Sequence, residues 1–157
     1  MTLWESMMLT AEGERGRKAR ARAVISRKEL QVERTPFGQI RWYLHPALDV
    51  PMIKTLYFFE LEIPPGSRSG RLRHQGGIAH LVVEGSGFTD LDGQRYDWER
   101  LDVIGLPARP GGITFQHFNS GAGPARLLVT WPNMDGSLGP DLGARIEVLE
   151  PAPEYAG

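Results

Sequence analysis

Gly66-Ser-Arg-Ser-Gly-Arg-Leu72-Arg-His74-Gln-Gly76-Gly77-Ile78-Ala-His80-Leu-Val-Val-Glu84-Gly85-Ser-Gly87 opens the stretch that decides the fold. A hairpin follows, then Leu101-Asp-Val-Ile-Gly-Leu-Pro107, and then Thr114-Phe-Gln-His117-Phe-Asn119. Short apolar runs alternate here with turn glycines, and three of the chain's four histidines lie inside. Ile78 to Val83 is apolar on both faces apart from His80, the pattern of a central strand covered on both sides. Asp92-Gly93, between Phe88–Leu91 and Gln94–Asp97, is a two-residue hairpin signal.

The flanking sequence extends the same pattern. Ile40, Trp42 and Leu44 alternate on one face of a first strand from Gly38, which His45-Pro46 ends; His45 reads as a loop histidine. Ile53 to Ile63 is a longer strand, stopped by Pro64-Pro65-Gly66. Glu60 and Glu62, near its end, are expected at the surface. Ile113, Phe115, His117 and Asn119 share a face, as do Leu127, Val129 and Trp131 in the strand from Ala125 to Trp131. Ala144 to Leu149 adds a candidate edge strand.

Many short strands with regular turns predict an all-β, antiparallel sandwich or barrel. Residues 1–30 read as an N-terminal helical arm, with Leu3, Trp4, Met7 and Met8 on one face and a basic run from Glu14 to Arg22. Residues 31–150 read as one barrel domain and 151–157 as a tail.

Bulk composition narrows the function. The 157 residues suit one domain with a sizeable core. A net charge of −1 supplies no general field for nucleic acid or anionic membrane, so neither is an expected partner. The absence of cysteine removes disulfides, thiolate metal sites and cysteine nucleophiles together, and fits a reducing, cytoplasmic location. No apolar run reaches the ~20 residues of a membrane span, and Met1-Thr-Leu-Trp-Glu-Ser lacks the form of a signal peptide. Ala79, Leu81 and Val83 give one strand an apolar outward face, which predicts a homodimer or cover by the arm.

Gly66, His74 and Gly85, with Leu101-Asp102, Pro107, His117 and Asn119, resemble the two sequence motifs of the cupin family. That family implies a jelly-roll double-stranded β-helix, often with a histidine-ligated metal. Two family ligand positions are apolar here: Leu72 replaces a histidine and Ile78 the glutamate. His74 and His117 are the positions that the resemblance carries over directly. If His74 pairs with Ile78 across the Gly76-Gly77 turn, Leu72 lies opposite His80 within cross-strand reach. His80 then stands in for the missing ligand. The expected metal set is His74, His80 and His117 around Fe, Ni, Zn, Mn or Cu, with Leu72, Ile78 and Phe115 lining an apolar pocket. The plainer reading makes each a core histidine with a hydrogen-bonded nitrogen.

Two functions follow. One is a metal-dependent enzyme, with a dioxygenase acting on a small aromatic or carboxylate substrate as the model. The other is a non-catalytic barrel that has lost its metal and binds or senses a small molecule. Leu72 and Ile78 favour the second, His80 the first. No phosphate-cradling loop or nucleophile elbow offers rival chemistry.

Overall fold

A computed structural model describes residues 1–50, 53–139 and 145–155. Helix α1 (Leu3–Arg20) comes first. Thr2 and Glu5 close its N-terminus as a capping box, and Arg17, Lys18 and Arg20 sit in its last turn, where the helix dipole favours cations. A 3₁₀ turn at Arg27–Glu29 leads into the strands. These are β1 (Glu33–Thr35), β2 (Gly38–Leu44), β3 (Leu56–Ile63), β4 (Arg71–His74), β5 (Ile78–Glu84) and β6 (Gly87–Leu91). Then come β7 (Gln94–Trp98), β8 (Val103–Leu106), β9 (Ile113–Asn119) and β10 (Ala125–Pro132). A short helix α2 (Asp135–Leu138), β11 (Glu147–Glu150) and a 3₁₀ turn at Pro153–Tyr155 follow. No described helix is long and apolar enough to cross a membrane.

The strands form two antiparallel sheets, ordered β1-β2-β3-β10-β5-β8 and β11-β4-β9-β6-β7. Alternate residues from both sheets meet in one core, with Phe59, Leu61, Leu127 and Val129 from the first and Leu72, Ile113 and Phe115 from the second. The Asp92-Gly93 hairpin forms as expected: Leu91 pairs with Gln94, and both turn residues take positive φ. The long strand begins at Leu56 rather than Ile53. The expected C-terminal edge strand is β11, shifted toward Glu150; Ala144 lies outside the described residues.

Two expectations are corrected. β4 and β5 do not form a hairpin. They lie in different sheets, so Leu72 pairs with Phe115, while His80 pairs with Ile104 and Val129. The Gly76-Gly77 link crosses between the sheets. Gly76 has a φ of +86°, and a Cβ there would stand 2.0 Å from Pro107 O, so only glycine fits the crossing. Glu60 is also not at the surface. It is 3% exposed, because Arg27 grips it through two hydrogen bonds of 2.7 Å and Arg41 adds one of 2.9 Å. Arg41 and Arg126 hold Glu62 beside it at 3.1 and 3.0 Å.

Candidate functional site

β4, β5 and β9 each turn one histidine into the core, because strand parity places His74 with Leu72, His80 with Ile78 and Val82, and His117 with Phe115. All three are completely buried. They do not form one cluster. His80 Nδ1 and His117 Nε2 face each other at 2.9 Å. His74 pairs with Ile113, four residues before His117 on β9, which at 3.3 Å per residue puts their backbone positions about 13 Å apart along the strand.

The hydrogen bonds assign the tautomers. Trp98 Nε1–H donates to Thr89 Oγ1 at 3.0 Å, and Thr89 Oγ1 lies 2.7 Å from His117 Nδ1. A Thr89 hydroxyl that donates to His117 Nδ1 is satisfied on both sides. His117 Nε2–H then donates to His80 Nδ1, and the His80 proton sits on Nε2. The reverse order leaves the buried Thr89 hydroxyl hydrogen without an acceptor. At His74, the Gly76 N–H donates to Nδ1 at 2.9 Å, so the neutral ring carries its proton on Nε2.

Burial keeps these rings neutral. It pushes His117 down to about 3, and His74 down to about 4 against a small opposing pull from the Asp135 carboxylate. His80 falls well below the ordinary value, first through burial and then through its histidine neighbours. No described carboxylate joins them; among the described residues, no group of three or more histidines, aspartates or glutamates could hold a metal ion.

The three-histidine set expected from the sequence therefore does not fit a divalent metal. It divides into a pair and a single ring because His80 faces His117 across the two sheets, while His74 lies four residues further along β9, opposite Ile113. A ligating imidazole offers a bare nitrogen, and its other N–H donates. His74 has the opposite arrangement, since a backbone N–H occupies its bare nitrogen. Leu72, Ile78 and Phe115, expected to line a pocket, are buried in the core.

The sequence reading missed three participants. The sequence pattern places Thr89 only in the hairpin, whose second strand it ends at Asp97, one residue short of Trp98. Trp131 was read as strand core, although its parity with Val129 already aims it inward. Its ring lies 5.3 Å from that of His74. A cavity of about 500 Å³ opens between the sheet edges β7 and β8, with Thr89, Leu91, Ile104 and Leu106 on its inner wall. Its Pro107 end adjoins the Gly76-Gly77 crossing, where Gly77 N–H donates to Leu106 O at 2.8 Å. A larger depression of about 570 Å³, beside α1 and Asp49, touches none of the histidines.

Two antiparallel sheets in this order, with inward residues at the motif positions, agree with a sequence model for the cupin domain, which matches residues 59–131. The chain carries a cupin domain. A search of curated proteins gives no match. Among solved structures, the polyketide cyclase RemF from Streptomyces resistomycificus aligns at 15% identity and a TM-score of 0.62, covering 86% of this chain and 96% of that one. The salicylate 1,2-dioxygenase from Pseudoaminobacter salicylatoxidans aligns at 15% identity and a TM-score of 0.58, covering 76% of this chain. Coconut cocosin, an allergen, aligns at 15% identity and a TM-score of 0.59. The chain spans about a third of the length of the dioxygenase and of cocosin, 31% and 34%. At these identities the likeness concerns the fold of the cupin domain alone.

Proposed function

We propose that this cupin domain holds or senses a small, apolar-bodied molecule without the help of a metal ion. The carrying observation is the Gly76 N–H on His74 Nδ1, which makes His74 a hydrogen-bond donor and removes it from any ligand set. Leu72 and Ile78 at the family's ligand positions support the same reading, as does the cavity beside Thr89. The test is metal analysis of protein purified without a polyhistidine tag or chelators and supplied with Fe, Ni, Zn and Mn. Substoichiometric metal, with no shift in melting temperature on metal addition, is the expected result. A stoichiometric ion lost on His117→Ala substitution refutes it.

A second reading keeps the metal enzyme, a dioxygenase-like cupin. It is favoured by one observation: two nitrogens facing at 2.9 Å, with Thr89 behind His117, also suit two imidazoles flanking an ion. It requires the His117 tautomer reversed, with its proton on Nδ1, and ligands from outside the described residues or from substrate. The same metal analysis separates the two.

A homodimer belongs to the proposal as well. Leu3, Trp4 and Met7 of α1 are 92%, 69% and 53% exposed, and Ala79 on the outward face of β5 is exposed too. A second subunit is the cover we assign to these surfaces. Light scattering at micromolar concentration should give twice the chain mass; a monomer defeats this part.

A further inference from the structure

The cavity of about 500 Å³ lies where the two sheets do not close on each other. β7 ends one sheet and β8 ends the other, and the two are neighbours in neither. Tyr96 shows the gap. It pairs with Thr89 across the hairpin, so both side chains share the inward face. Thr89 is 0% exposed there, but Tyr96 is 48% exposed. Leu91, Trp98, Ile104 and Leu106 add a buried apolar wall. An inward aromatic side chain left half open beside such a wall gives an apolar body room to pack.

The polar side chains around the cavity are unequally engaged. Trp98 Nε1–H donates to Thr89, the Thr89 hydroxyl donates to His117, and the Tyr96 hydroxyl donates to Gln94 Oε1 at 2.7 Å. Asp97 Oδ1 accepts from Nε and Nη2 of Arg95 at 2.9 and 2.6 Å, and Asp102 Oδ2 accepts from the Glu99 N–H at 2.9 Å. Arg109 differs. Its Nη1–H donates to Asp92 Oδ2 at 2.6 Å, while Nε and Nη2 have no partner among the described residues. Asp92 is itself pinned to β9: its Oδ1 accepts from the Thr114 N–H and its own N–H donates to Thr114 O, both at 2.8 Å. The guanidinium is therefore held at the cavity rim by one edge and keeps another edge open. A planar fork of two N–H donors matches a carboxylate. Asp102 precedes β8 and Arg109 follows it, so about 10 Å of strand, at 3.3 Å per residue, keeps these opposite charges apart.

We infer that the ligand of this cavity is an apolar-bodied monocarboxylate. Its body lies against Tyr96, Trp98 and Leu106, and its carboxylate accepts from the Nε–H and Nη2–H of Arg109. Asp92 keeps its bond to Nη1 and with it the direction of the fork. This names the ligand class of the proposed binding function and rests on that reading.

The test uses three probes of similar shape on the full chain: 2-naphthoate, 2-naphthamide and 2-naphthylmethylammonium. Binding is read by calorimetry and by ¹H–¹⁵N spectra of the Arg109 Nε–H and the Trp98 indole N–H, which Arg109→Gln and Trp98→Phe identify by their loss. The carboxylate should bind at least about tenfold tighter than the amide and should shift both signals. Arg109→Gln should weaken the carboxylate about tenfold, to the level of the amide, and leave the amide unchanged. High salt should erode the advantage of the carboxylate without touching the amide. Wild-type discrimination and the wild-type shifts stand even if a variant does not fold. Equal binding of carboxylate and amide, with the Trp98 signal shifted by both, overturns the inference and leaves small-molecule binding in this cavity intact. Tightest binding of the ammonium, a carboxylate preference that survives Arg109→Gln, or no binding of any probe also overturns it. None of these outcomes reads metal content, so the metal-free reading falls separately, on metal analysis.

Discussion

The sheet that contains β3, β10 and β5 buries polar groups on both faces, in opposite chemical states. On its outer face, Glu60 is buried as a charge between the guanidinium groups of Arg27 and Arg41, and Arg126 links Glu62 to Glu84 next to it. On its inner face, His80 is buried neutral, beside His117 and within reach of no described carboxylate. Ions survive burial only beside counter-ions, because desolvation of a lone charge costs several kcal/mol. The outer face has three arginines to supply them, whereas the inner face has aromatic rings. This difference leaves the inner histidines with hydrogen-bonding partners and, among the described residues, no charged ones.

The largest expected effect tests the outer cluster. Glu60→Ala leaves Arg41, only 16% exposed, with Glu62 alone, and should lower unfolding free energy by about 3 kcal/mol. Urea denaturation should show a lower midpoint with an unchanged slope. A change under about 0.5 kcal/mol would mean that the cluster is solvated like an ordinary surface pair.

The inner pair comes next. His117→Phe strips the Thr89 hydroxyl hydrogen of its acceptor and His80 Nδ1 of its donor, and should cost about 2 kcal/mol. The double substitution His80→Leu with His117→Phe should cost less than the sum of the single changes, since both ends of the hydrogen bond then disappear. Strict additivity in that cycle breaks the comparison, because it makes the 2.9 Å contact energetically empty.

Acid should separate the faces further. The folded histidines titrate below their unfolded value of 6.5, so the unfolded chain binds more protons between the two. Their contribution is complete above pH 6.5 and is lost as pH falls, through about 4 for His74 and about 3 for His117. Between pH 6.5 and 5, above the range of most carboxylates, wild type should lose about 1–2 kcal/mol more than His74→Leu does. Parallel stability curves for the two proteins would sink this account.

The smallest effect serves as a control. Arg73 and Glu147 join β4 to β11 at 3.0 Å but are 39% and 52% exposed. Arg73→Ala should change stability by about 0.5 kcal/mol or less, and high salt should remove the difference. A loss as large as that of Glu60→Ala would show that exposure is not what separates the clusters.

Much of the fold was legible in the sequence. Alternation at period two located the main strands from β2 to β10, because inward and outward positions of a half-buried strand need different side chains. Asp92-Gly93 specified its hairpin, since both residues accept positive φ. The short β1 was missed: Glu33-Arg-Thr35 has no apolar alternation and is recruited by pairing with β2. Inward parity of His74, His80 and His117 was also readable. Which of them meet was not. That depends on whether β4 pairs with β5 or crosses to the other sheet, and in the structure β4 lies between β11 and β9 while β5 lies between β10 and β8, all but β8 distant in sequence. The proton on His74 depends on a further detail, the direction of the Gly76 N–H, which no residue pattern encodes. The sequence determined the faces, because side-chain alternation is local. Tertiary structure decided the chemistry, because hydrogen-bond partners come from whichever strands pack alongside.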